Sequence, residues 1–469
     1  MKRLALICGA AVFTVAACLV LAGRRLGDHR PPVAVSAPQP SSQSAAPAVG
    51  ASATDAQGFL YGRVTTRTGK VYLGRLRWGV GREAFWGDSF NGLKADNAWA
   101  AQVSPEKLPK EVSTSILGRL FGGSEHTKDL RRRFMARFGD LVRIEARGVK
   151  GVRVTQKSGS VVDLDRFEAG DFDDGVRVFD ARGTVDLDSM VIASVELLPT
   201  PGLTDAPARL SGTVRTAQGD FTGYLQWDRE KGVASDELVG RGRIGIPGLA
   251  TAVVPGLGKA GTLSLRFDSI RTIARREPNS ALVTLLDGRE IELIGTGDSG
   301  VGDVGIDNRG IYVDDPRYGR VLVAWNAFES ATLHPSGSGP AYADFVGGTA
   351  LAGTVAARDG RTLRGRLVFD LDESETTDTL DAPAGGVDYL IPFGLVASIT
   401  PPPPAPAAGA RATVRLWSGE ELALQLSGDL GENNAGLLIF AGDGVQGEYL
   451  AWSEVTRIDL DRPTVPARP

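Results

Sequence analysis

Three short acidic loops hold the residues best suited to chemistry. They are Gly170-Asp171-Phe172-Asp173-Asp174-Gly175, the stretch from Asp298 through Asp303 to Asp307-Asn308-Arg309-Gly310, and Gly428-Asp429-Leu430-Gly431-Glu432-Asn433-Asn434-Ala435-Gly436. Closely spaced carboxylates and amides are the hard oxygen donors that Ca²⁺ takes, yet none of the three has the bidentate Glu at the twelfth position of an EF-hand loop. Asp, Asn and Gly also serve tight strand turns, through side-chain hydrogen bonds to backbone and tolerance of left-handed conformations. We therefore read these loops as turns rather than calcium sites, and expect no metal or other cofactor.

Two further groups invite a binding role. Phe85 and Trp86 stand together, and Trp86 has Ala234 and Thr376 at the corresponding places of two related stretches. An aromatic pair in only one copy is a candidate platform for a sugar ring or a peptide side chain, against the alternative of packing on a neighbouring insertion. Residues 105–137 carry Lys128, Arg131, Arg132, Arg133 and Arg137 among apolar Ile116, Leu117, Leu120, Phe121, Leu130 and Phe134. That pattern predicts one or two amphipathic helices with a basic face, able to meet anionic headgroups or an acidic polymer, or else a solvated face offsetting nearby acids.

Catalytic signatures are missing. His29, His126 and His334 have no ligand-spaced partner, and G-x-S-x-G, Walker and H-E-x-x-H patterns do not occur. The only cysteines, Cys8 and Cys18, lie in the N-terminal apolar run, which removes thiol chemistry from the rest of the chain.

The elements that position these groups follow from a repeat. Gly62-x6-Gly69-x4-Gly74-x-Leu76-x-Trp78 recurs as Gly212-x6-Gly219-x3-Gly223-x-Leu225-x-Trp227 and as Gly353-x6-Gly360-x4-Gly365-x-Leu367-x-Phe369. A fixed pattern of this kind marks one structural unit reused. A closing motif also recurs: Phe138-x-x-Leu141-x-x-Ile144, Phe267-x-x-Ile270-x-x-Ile273 and Phe393-x-x-Val396-x-x-Ile399. Apolar spacing of three suits a 3₁₀ turn running into a strand. Related closures at Ile192-x-x-Val195, Trp325-x-x-Phe328 and Trp452-x-x-Val455 give six half-units in three pairs.

With 60 Gly, 26 Pro and alternation such as Arg289-Glu290-Ile291-Glu292-Leu293, the chain reads as all-β. A 3₁₀ turn before a last strand resembles SH3-like and Sm-like small barrels, and the resemblance implies tandem barrels over most of residues 59–461. Half-units of this size are marginal alone, so the two members of a pair are expected to pack together. The expected organisation is a signal or anchor segment (1–30), a Pro/Ala/Ser tether (31–58), pair one (59–200), pair two (209–335), pair three (349–461) and a short tail (462–469). A second insertion, rich in Gly and apolar residues, runs from Ile244 to Gly261.

Lys2 and Arg3, apolar Leu4 to Gly23, then Arg24 and Arg25 read as an export signal or membrane anchor, because about 20 residues at helical rise span a bilayer. Val15-Ala16-Ala17-Cys18 resembles a lipoprotein lipobox, which makes lipidation at Cys18, or secretion, the alternative to an inner-membrane anchor. Each places the body outside the cytoplasm. The net charge of −4 for the chain excludes a nucleic-acid footprint. The expectation is a non-enzymatic, membrane-tethered bacterial envelope protein whose repeats bind other envelope proteins, with glycan binding, or less readily glycan hydrolysis, as the alternative.

Overall fold

Gly-turn-Gly hairpins dominate the chain, and each motif glycine has a specific reason to lack a side chain. At Gly74, Gly223 and Gly365 an added Cβ would lie 2.1, 1.9 and 2.0 Å from the backbone oxygens of Phe179, Asp314 and Phe440 on the next strand. The middle glycines, Gly69, Gly219 and Gly360, take φ of 81°, 125° and 87°, a region that costs an L-residue about 1–2 kcal/mol.

A computed structural model describes residues 56–464, except 80, 109, 113–124, 128–129, 169, 204–206, 243–261, 296–301, 404–405, 443 and 445. The fold is all-β, in several antiparallel sheets. From edge to edge the first sheet runs Gly183–Leu187, Val176–Asp180, Val71–Trp78, Tyr61–Thr66, Ile192–Leu197, Leu141–Arg147, Gly151–Gln156 and Val161–Asp165. Another eight-stranded sheet runs Glu448–Leu450, Leu437–Phe440, Thr362–Val368, Ala352–Ala357, Val455–Leu460, Val396–Thr400, Arg411–Leu416 and Glu421–Gln425. The twelve-stranded sheet contains Gly319–Val323, Ile311–Asp315, Gly219–Gln226, Ser211–Thr216, Phe328–His334, Ile270–Glu277, Ser280–Leu285 and Glu290–Ile294 in the same order. It is extended at one end by Glu237–Gly242 and Thr262–Arg266, and at the other by Val387–Pro392 and Thr379–Ala384.

The expected 3₁₀ turns lie at Phe138–Asp140, Phe267–Ser269 and Phe393–Leu395, each running into a strand. Opening and closing motifs meet in the core. Trp78 stacks on Phe138 at 5.4 Å, Trp227 on Phe267 at 5.9 Å and Phe369 on Phe393 at 5.3 Å.

Two features differ from the sequence reading. Half-units are interleaved rather than consecutive: Val64 pairs with Val195, and Leu76 with Val178, so the first two strands of pair one lie beside its last three. The hairpin Thr379–Pro392, from pair three, is hydrogen-bonded to Gly319–Val323 of pair two. Local periodicity fixes which face of a strand is buried and leaves its partner undetermined, hence both differences.

Within the 105–137 insertion the described residues form a 3₁₀ turn, Pro105–Lys107, and the strands Lys110–Val112, Glu125–Thr127 and Arg133–Arg137. The amphipathic helices are not found among them, and 113–124 lies outside the described residues. No helix among the described residues is long and apolar enough to cross a membrane; residues 4–23, on which the anchor expectation rests, lie outside them.

Candidate functional site: a polar cleft

The acidic loops come first, since their chemistry was the opening question. Asp171 Oδ2 accepts the Asn91 N–H at 2.7 Å, Asp303 Oδ2 the Val239 N–H at 2.5 Å, and Asp429 Oδ2 the Asp381 N–H at 2.6 Å. Their backbone oxygens are occupied too: Asp171 O accepts from the Trp78 indole, Asp303 O from that of Trp227 at 2.7 Å, and Asp429 O from Asn434 Nδ2 at 2.7 Å. The first two loops each pin a strand and a core tryptophan, and the third pins a strand and closes on its own Asn434, all by turn-type hydrogen bonds. Among the described residues no group of three or more His, Cys, Asp or Glu is arranged to hold a metal ion.

Phe85 is fully buried and Trp86 is 4% exposed, so neither offers a ring face to a sugar. Phe85 packs on Tyr342 at 4.8 Å, and the Arg137 guanidinium caps Trp86 at 5.1 Å. The segment covering them, Tyr342–Phe345, lies between pairs two and three, some 250 residues away in sequence. It is held by Tyr342 Oη donating to Leu141 O at 2.6 Å and by Lys157 Nζ donating to Phe345 O at 2.8 Å.

The expected basic face is largely engaged internally. Arg132 Nη2 donates to Asp370 Oδ1 at 2.8 Å, Arg137 Nε to Asp140 Oδ2 at 2.8 Å, and Arg131 sits 3.9 Å from Glu168. Arg133 is exposed, and Lys128 lies outside the described residues.

Arg131, Arg132 and Arg133 instead border a cleft of about 990 Å³, together with the strand end Asn91–Lys94. Across it stand Asp370, Asp372, Glu373, Asp378, Asp381 and Asp429, all from pair three. The turn that presents them is strained, with Asp370 and Leu371 at φ of 50° and 53°, a left-handed conformation uncommon outside glycine. Asp370 is held there by Arg132 and by accepting the Ala435 N–H. Lys94 forms an ion pair with Asp372, and although burial opposes its charge, Asp372, Asp378 and Glu373 raise its pKa above the ordinary lysine value.

The other carboxyls face one another. Burial pushes the Asp378 and Asp381 carboxyls up to about 6, Asp381 with added repulsion from Asp388. Burial, then neighbouring acids, drives Glu373 and Asp429 well above the usual carboxylate range. Two Asp378 contacts, from the N–H groups of Ser374 and Glu375 at 2.7 and 2.9 Å, are turn bonds that Asp88 also makes to Glu83 and Ala84. Sequence reading named only Asp429 of this wall. The available signal was the run Asp370-Leu371-Asp372-Glu373, richer in acid than Asp228-Arg229-Glu230 at the same place in pair two.

Comparison with protein-family models, with curated proteins and with solved structures finds no match to this chain.

Proposed function

We propose that this chain is a non-catalytic binding protein of the bacterial envelope. In this reading it is built from three copies of one ten-strand unit, each combining two SH3-like or Sm-like halves, and residues 4–23 export or anchor it. A partner protein adds an extended segment to the open strand edge Gly183–Leu187. Support for the threefold design comes from the shared strand order and from the glycine, 3₁₀ and acidic-loop contacts that recur at corresponding positions.

One observation carries the binding reading. The edge strand of pair two, Gly319–Val323, has accepted an antiparallel strand from elsewhere in the chain, with Arg320 opposite Leu390, Val321 opposite Tyr389 and Leu322 opposite Asp388. The corresponding strand of pair one, Gly183–Leu187, has the same hairpin register and, among the described residues, ends its sheet with no further strand paired to it. Ala324 N–H donates to Gly386 O, so by antiparallel alternation Arg320 and Leu322 turn their backbone groups to the added strand. Thr184 and Asp186, their counterparts, turn the same groups outward. Exposed edges of this kind are where extended peptides bind, main-chain bonds giving affinity and alternate side chains specificity. The partner segment would resemble Val387–Pro392, in which buried Val387, Tyr389 and Ile391 alternate with exposed or half-exposed Asp388 and Leu390. Burial of Phe85 and Trp86 takes away the aromatic motive for the glycan alternative.

The test is capture by the tagged full chain from detergent-solubilised envelope membranes, wild type against Thr184→Pro. Thr184 is exposed and its N–H faces outward, so proline there should block strand addition while leaving the inner pairing in place. A partner retained by wild type and lost by the variant supports the reading. A partner retained equally by both refutes addition at this edge.

A further inference from the structure

The cleft between pairs one and three gathers more carboxyl groups than cations. Asp370 is matched by Arg132 and Asp372 by Lys94, whereas Glu373, Asp378, Asp381 and Asp429 have no ion-pair partner within 4.0 Å among the described residues. Hydrogen bonds absorb part of this. Asp378 and Asp429 accept backbone N–H groups, and Asp381 accepts the Thr379 hydroxyl at 2.9 Å.

Glu373 is different: its Oε2 atom is buried, on a residue of the cleft wall, and accepts no hydrogen bond among the described residues. A buried acceptor without a donor costs about 1–3 kcal/mol, more when charged, so the site is built at a cost that a ligand donor would relieve. Divalent metal is a poor fit, because oxygen-liganded ions need several converging ligands and no such group of three is found among the described residues. The volume of about 990 Å³ is that of a small-molecule site.

We propose that this cleft binds a small organic polycation, whose ammonium groups donate to Glu373 Oε2 and to the Asp381 and Asp429 carboxylates. Strongly directional N–H donors supply the missing hydrogen bond, and their charge favours ionisation of carboxyls that burial disfavours.

The experiment is thermal unfolding and calorimetric titration of the full chain with spermidine, with CaCl₂ at matched ionic strength as the control. Spermidine should raise the unfolding midpoint in a saturable way, since it binds the native state, and CaCl₂ should not. Glu373→Gln should weaken spermidine binding at least about tenfold, the size of one lost charge-assisted bond. Without ligand the same variant should unfold no lower than wild type, because Gln keeps the shape of the side chain and Oε2 has no hydrogen bond to lose. Asp220→Asn, at an exposed position near the start of the strand Gly219–Gln226 and outside the cleft's lining, should leave binding unchanged. Equal stabilisation by CaCl₂, absence of any spermidine effect, or wild-type affinity in Glu373→Gln would overturn the proposal.

Discussion

Arg320 joins pair one to pair two through a buried ionic network, and its removal is the sharpest test of how the units are fused. Its Nη1 donates to Gly87 O and its Nη2 to Gln226 Oε1 at 2.8 Å. Nη2 lies 3.6 Å from Asp88 Oδ1, and Nε lies 3.3 Å from Asp314 Oδ1, an ion contact without hydrogen-bond alignment. The guanidinium also stacks 4.0 Å over Tyr312. Side-chain exposure is 13% for Arg320, 6% for Asp88 and 2% for Asp314, so little solvent is present to take over a lost partner.

Burial raises the Asp314 pKa against the opposing pull of Arg320 and Arg209. Arg320→Met keeps most of the packing and leaves Asp314 with Arg209 alone, at 3.3 Å. Breaking a buried pair from one side costs about 3–5 kcal/mol. At about 2.1 cal/mol/K per residue, a body of about 400 residues has an unfolding entropy of about 0.8 kcal/mol/K, so the midpoint should fall by about 4–6 °C. Differential scanning calorimetry of Arg320→Met, Asp314→Asn and the double variant provides the assay. The double variant should lose less than the sum of the singles, since the second change removes the charge that the first stranded. A fall below about 1 °C for Arg320→Met, or strict additivity, would refute the reasoning.

Further expectations concern the cleft, the buried rings and the glycines. Asp378 and Asp381 are raised in the folded state to about 6, so the native protein binds more protons than the unfolded chain between about pH 4 and 6. Their contribution therefore grows as pH falls from 7 towards 5, and Asp381→Asn should flatten the rise in midpoint measured across that range. Phe85→Ala should cost about 3–5 kcal/mol in denaturant unfolding, whereas a surface platform would cost almost nothing. Gly159→Ala meets nothing within 4 Å and pays only for its φ of 92°, about 1–2 kcal/mol; Gly74→Ala drives a Cβ into Phe179 O and should cost more in the same assay.

Much of the fold could be read from glycine and aromatic spacing. The motif positions Gly62, Gly69, Gly74 and Trp78 report a close approach, a left-handed turn, a second close approach and a core ring, all local requirements written in residue type. The 3₁₀ turn at Phe138 was legible for the same reason. Pairing was not, because Thr65 meets Ser194 about 130 residues away, and nothing local to either names the other. The cleft was hidden by the same distance: Arg132 and Asp370 are separated by 238 residues, so a basic run read as a surface instead borders a cleft. Trp86, which has Ala234 and Thr376 at the corresponding places of two related stretches, invited a ligand role, but the ring that packs on its neighbour, Tyr342, comes from a segment some 250 residues away.

Residue-resolved hydrogen exchange of the full chain, free and bound to its captured partner, tests the open edge most directly. In the free protein the Thr184 and Asp186 amides should exchange nearly as fast as in an unstructured peptide, while those of Arg320 and Leu322 are protected by the strand Val387–Pro392. In the complex Thr184 and Asp186 should become protected as well. Protection of both already in the free protein, or unchanged fast exchange in a saturated complex, would contradict strand addition at Gly183–Leu187.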